Sequence, residues 1–134
     1  MTGGRYARNK GKRGEREVAT ILRAHGYDVR RGWQSRAGSD DADVIGVPGW
    51  WVEVSIGGAN PRRKYAQAVE ASAKSGRRPV AITRPDGGEW LATVALCDWL
   101  RLVALLHGTV EQSRCTLAAD PTRTRASGEG GEGR

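Results

Sequence analysis

The sequence predicts a mixed α/β domain with a small central sheet flanked by helices. Three observations point there: an apolar stripe at helical spacing near the start, short strand-like runs punctuated by Gly and Pro, and two later helical stretches interleaved with further strands. Residues 14–25 read as a helix, because Val18, Ile21 and Leu22 recur at helical spacing and Gly26 supplies a stop. Residues 27–31 alternate as a short strand, and 32–41 form a polar loop holding Trp33, Ser35 and Arg36. Residues 42–47 and 51–55 are strands around the turn signal Pro48-Gly49. The run Gly57-Gly58-Ala59-Asn60-Pro61 breaks the chain, and Pro61 fits the first turn of a helix reaching Ser75, closed by Gly76. Residues 79–83 are an apolar strand, Pro85-Asp86-Gly87-Gly88 a turn and 89–94 another strand. Residues 95–106 are an amphipathic helix on Leu96, Leu100, Val103 and Leu106. The predicted order is helix, three strands, helix, two strands, helix.

The chain has 134 residues and a formal net charge of +7. That is one domain's worth, and the apolar residues crowd into its middle. Five tryptophans (Trp33, Trp50, Trp51, Trp90 and Trp99) supply bulk in the absence of phenylalanine. Trp90 and Trp99 follow the apolar periodicity and are expected in the core, whereas Trp33 is the candidate for stacking on a base. The expected layout is a basic flexible arm over 1–13, a folded domain over 14–106 and a mostly disordered tail over 107–134. No apolar run approaches the ~18 residues of a membrane span. No apolar segment follows the basic start, so no secretory signal is read and a soluble, cytoplasmic protein is expected. Two cysteines without CxxC spacing exclude a disulfide scaffold or zinc ribbon, and Cys97 reads as a small buried apolar residue. His25 and His107 lie too far apart in sequence to suggest a histidine metal site.

The charge is uneven. Residues 1–36 carry ten cations against three acids, which accounts for the whole excess, and Arg62, Arg63 and Lys64 form a second cluster. A basic segment running into a folded domain is the footprint of a phosphate-backbone binder. The plainer alternative is that it keeps a small protein soluble.

Three carboxylates stand out. Asp43 shares a strand face with Ile45 and Val47, and Glu53 sits inside the otherwise apolar run Trp-Trp-Val-Glu-Val-Ser. A buried carboxylate needs a partner, either a divalent cation or an arginine. Oxygen-only donors favour Mg²⁺ or Mn²⁺. Glu15 lies about 65° from the apolar direction of the first helix and Glu17 about 95° away on the other side, so Glu15 looks inward. Its alternative role is to stabilise the helix dipole. Asp43 and Glu53 share a face only if the connection between their strands has an odd length. A three-residue loop, Pro48-Gly49-Trp50, is expected; it would pair Val47 with Trp51 and set Asp43 against Ser55, one step from Glu53.

Lys10-Gly11-Lys12-Arg13-Gly14-Glu15-Arg16-Glu17, then Asp43 at a strand start, then Glu53-Val54-Ser55, resembles the PD-(D/E)xK nuclease superfamily. Within it the chain is similar to archaeal-type Holliday junction resolvases and their phage relatives, from about residue 10 to 106. Gly26-Tyr27-Asp28-Val29-Arg30-Arg31, Ser35 and Gln67 add to the likeness. The resemblance implies a restriction-endonuclease-like core with αβββαβ order, followed by a further strand and helix. It implies hydrolysis of phosphodiesters in branched DNA, with Mg²⁺ or Mn²⁺ held by Asp43, Glu53 and the Val54 carbonyl, and with Glu15 completing the acidic cluster. Gln67 would position the water, and Ser35 would approach the backbone. Arg5, Arg8, Lys10, Lys12, Arg13, Arg30, Arg31, Arg36, Arg62 and Arg63 would hold the DNA. Such enzymes act on four-way junctions as homodimers; the host would be a bacterium or a phage-infected cell.

The departure is Ser55, where the family has a lysine. Serine can hydrogen-bond but carries no charge to stabilise the phosphate. Lys64, three residues before Gln67 on the same helix face, is the candidate replacement. A second metal is another. The remaining alternative is a catalytically weak or inactive DNA-binding module on the same fold, and a nuclease acting on unbranched duplex is a further reading.

Overall fold

The computed structural model describes residues 3–32, 41–58 and 60–108. Ser35, Arg36 and Trp33 lie outside these residues, as does the expected tail beyond 108. Among the described residues, three helices and five strands follow in the order α1 (Gly3–Ala24), β1 (Arg30–Arg31), β2 (Val44–Ile45), β3 (Trp50–Ile56), α2 (Pro61–Ser72), β4 (Arg78–Arg84), β5 (Leu91–Thr93) and α3 (Leu96–Leu106). The strands form one mixed sheet in chain order. β1, β2 and β3 are antiparallel neighbours, β3 and β4 are parallel with α2 as their crossover, and β5 returns antiparallel to β4. This is an α/β architecture of the restriction-endonuclease-like kind.

The element order is as the sequence predicts, but α1 starts earlier. Residues 3–13, expected as a flexible arm, are the first half of one 22-residue helix. Its turns up to Asn9 are solvent-exposed, and burial begins where Gly14 meets the sheet. A Cβ on Gly14 would come within 2.8 Å of the Ile56 side chain, so this close approach needs glycine. The described residues belong to two compact units, Met1–Ala95 and Leu96–Arg134.

One face of β3 carries Val52 and Val54, which pack with Val18, Ala19, Val29, Val44 and Val80 into the main core. Leu22 and Trp90 border it, while Ile21, expected on the same helix stripe, is exposed. The other face carries Trp51 and Glu53. Trp51 packs there with Ala42 and with Ala68 of α2. Asn60 caps α2 by accepting the Arg62 amide, with Pro61 in the first turn. In the second unit, Trp99 of α3 is 53% exposed, contrary to its expected place in a core. Cys97, expected as a small buried apolar residue, is only half-buried.

The β2–β3 connection corrects the expected loop. The Trp50 amide donates to the Val47 carbonyl, which closes a tight turn on Pro48-Gly49. Such a turn alone would put Asp43 and Glu53 on opposite faces. The ladder, however, pairs Val44 with Val52. Gly46, at φ +117, is the extra residue that changes the parity, as in a β-bulge. A side chain there would collide with the Asp28 carbonyl oxygen. Continuing the observed pairing sets Asp43 opposite Glu53 itself, not opposite Ser55.

Candidate active site

Asp43 and Glu53 are both buried. The two adjacent buried carboxylates are held in place by four kinds of donor. The Val54 amide donates to Asp43 Oδ2 at 2.8 Å. The Trp51 indole N–H donates to Glu53 Oε1 at 2.9 Å. From α2, the Lys64 ammonium lies 3.4 Å from Asp43 Oδ2 and 3.2 Å from Glu53 Oε2. Gln67, one turn further along α2, donates from Nε2 to Glu53 Oε2 at 3.4 Å and accepts from Lys64 at the same distance. Lys64 thus sits between the carboxylates with only 15% of its side chain exposed. Ala68 lets this happen: its small side chain, fully buried on the Trp51 ring, allows α2 to approach the strand.

The electrostatics follow from the geometry. Burial raises the Glu53 pKa, and the neighbouring Asp43 charge raises it further. The Trp51 hydrogen bond and the Lys64 charge oppose both effects. The Lys64 ammonium lies within salt-bridge distance of both carboxylates. Their oxygens converge on a cationic point already taken by an ammonium. Oxygen donors from one or two carboxylates, completed by water or phosphate oxygens, are what a hard divalent cation takes. The Val54 carbonyl is directed to the same strand edge as its amide, on the Asp43 side. The residues present therefore fit a Mg²⁺ or Mn²⁺ ion.

Glu15 is inward and buried, but it is not gathered with this pair. Arg31 donates from Nε and Nη2 to its Oε2, at 2.9 and 2.6 Å. The guanidinium neutralises Glu15, and among the described residues no group of three or more acidic, histidine or cysteine side chains could hold a metal. Ser55, on the same strand face as Glu53 by alternation, is half-buried.

The expected DNA contacts fall into two groups. Arg5, Arg8, Lys12, Arg13, Arg30, Arg62 and Arg63 are exposed. Lys10 is engaged with Asp86 at 2.7 Å, and Arg31 with Glu15. Sequence reasoning missed two positioning features. One is the Trp51–Glu53 bond, legible only as an i, i+2 pair on one strand face; the other is the Gly46 bulge.

The five-stranded mixed sheet with its helices is consistent with a restriction-endonuclease-like fold, with Glu53 on β3 and Asp43 just before β2. Residues 6–55 match the family model described as archaeal Holliday junction resolvase, consistent with the PD-(D/E)xK superfamily. The match runs from α1 through β3 and takes in Glu15, Asp43, Glu53 and Ser55, while Lys64 and Gln67 lie beyond it. No curated protein matches the chain. Among the described residues, no helix is long and apolar enough to cross a membrane.

Proposed function

We propose that this protein is a metal-dependent, structure-selective endonuclease that hydrolyses phosphodiester bonds in branched DNA, of the Holliday junction resolvase type. The observation that carries the reading is the convergence of Asp43, Glu53 and Lys64 on one point, in a chain whose 6–55 segment is resolvase-like. Asp43, Glu53 and the Val54 carbonyl would hold Mg²⁺ or Mn²⁺, which when bound would supply Lewis-acid polarisation of the phosphate and a more acidic water. Lys64 supplies the cation that Ser55 lacks, stabilising charge that develops on the phosphate oxygens. Gln67 steadies both Lys64 and Glu53 and presents an amide to the attacking water; Ser55 adds a neutral hydrogen-bonding group. Arg5, Arg8, Lys12, Arg13, Arg30, Arg62 and Arg63 hold the DNA backbone through phosphate contacts. Lys10 and Arg31 first hold Asp86 and Glu15. Two symmetric nicks need two sites, so the working form is a homodimer.

Purified protein is expected to nick a synthetic four-way junction with Mg²⁺, and Asp43→Asn or Glu53→Gln to lower the rate at least ~10³-fold. An absence of cleavage at high Mn²⁺ and excess protein would contradict the proposal. Ser55 at the motif-lysine position favours a second reading, a DNA-binding module that does not cut. That module would bind junctions equally well with or without metal and with Asp43→Asn. Competition between linear and four-way DNA separates the junction enzyme from a duplex nuclease.

A further inference from the structure

The geometry points to Trp51 as a positioning residue that fixes which oxygen of Glu53 faces the cation, an inference that rests on the functional reading above. Trp51 and Glu53 are two residues apart on β3, so both side chains leave the sheet on the α2 side. The indole is 3% exposed and packs with Ala42 and Ala68. Its one polar atom, Nε1–H, is committed to Glu53 Oε1 at 2.9 Å in a buried setting. A buried indole N–H requires an acceptor, and a charged acceptor gives the stronger bond. With Oε1 held, the carboxylate plane is fixed and Oε2 is the oxygen turned toward Lys64 and Gln67. A glutamate has three rotatable bonds and, unheld, would lose several arrangements on binding a cation. The tryptophan removes them before the cation arrives, which is what an orienting neighbour contributes at a metal site. Ala42 and Ala68 in turn set the indole, so the face of α2 that carries Lys64 and Gln67 also positions Glu53 through Trp51.

The test uses the full chain labelled with ¹⁵N. Trp51→Phe identifies the Trp51 indole N–H resonance by its disappearance from the spectrum. In Glu53→Gln that resonance is expected to move upfield as its acceptor loses charge, while the other indole resonances stay in place. An unmoved Trp51 resonance would overturn the inference, and this arm needs no Trp51 variant to fold. Addition of Mg²⁺, followed on the Val54 amide, is expected to show about tenfold weaker binding in Trp51→Phe than in wild type. Trp50→Phe, which removes bulk from the neighbouring residue, serves as the control and should bind Mg²⁺ as wild type does. Equal Mg²⁺ affinity in a folded Trp51→Phe would refute the positioning role. Nicking measured in parallel keeps the two ideas apart: wild type that binds Mg²⁺ but cuts no junction contradicts the nuclease, while the Mg²⁺ affinities still decide the role of Trp51.

Discussion

Two buried acidic positions of this molecule have been resolved in opposite ways. Glu15 on α1 has a guanidinium of its own, with two donors of Arg31 on one oxygen. Asp43 and Glu53 instead meet at the Lys64 ammonium, which lies within salt-bridge distance of both, and burial and the Asp43 charge raise the Glu53 pKa. The first is a balanced pair that ties α1 to β1. In the second, two buried carboxylates from neighbouring strands meet at the same lysine ammonium, which is the arrangement proposed above to receive a cation. Burial of acid alone does not mark a site; the convergence of two acids from separate segments does.

Four changes would break or sharpen this contrast. Lys64→Met should have the largest effect, cutting junction nicking about 10²-fold in a single-turnover assay. The same change should tighten Mg²⁺ binding, because the ammonium competes for the same oxygens. If nicking survives Lys64→Met, the lysine is not the replacement for the family's cation. Gly46→Ala comes next. It forces a side chain into a positive-φ position against backbone, at a cost of about 2 kcal/mol in urea unfolding. Relief by sliding the strand one residue would turn Asp43 away from Glu53, so Mg²⁺ binding should fall with it.

Glu15→Ala should cost about 1–2 kcal/mol of stability, discounted because Arg31 remains about one-third exposed. It should leave Mg²⁺ affinity within twofold of wild type, and a larger loss would place Glu15 in the cation site after all. The smallest effect concerns pH. Because the fold raises the Glu53 pKa above the ordinary 4.5, the native protein keeps a proton that the unfolded chain has already released. Without metal, stability contributed at this position therefore falls as pH rises from about 4.5 through the raised value. Unfolding in EDTA across that window should show wild type losing stability relative to Glu53→Gln. Parallel curves would remove the argument that the carboxylate is strained by its surroundings.

The sequence made the element order legible, because helix-spaced and alternating apolar patterns survive whatever packs against them. It also singled out Glu53, since a carboxylate inside an apolar strand is a local signal, whereas Gln67 and Lys64 were found only through the resemblance and its missing lysine. Three features were not legible, each for a physical reason. The helical state of residues 3–13 was hidden by Gly3, Gly4 and Gly11, which lower helix propensity without forbidding the helix. The bulge was hidden because Gly46 looks like any other turn glycine until its pairing partner is known. The Glu15–Arg31 bond joins residues from a helix and a strand, and no spacing rule reports which cation a buried acid will meet.

The most direct test of the contrast is calorimetric titration of the metal-free protein with Mn²⁺, run on wild type, Asp43→Asn and Glu15→Gln. One Mn²⁺ per chain is expected in wild type and in Glu15→Gln, with binding lost in Asp43→Asn. Equal binding in all three, or loss in Glu15→Gln alone, would show that the cation does not sit between Asp43 and Glu53.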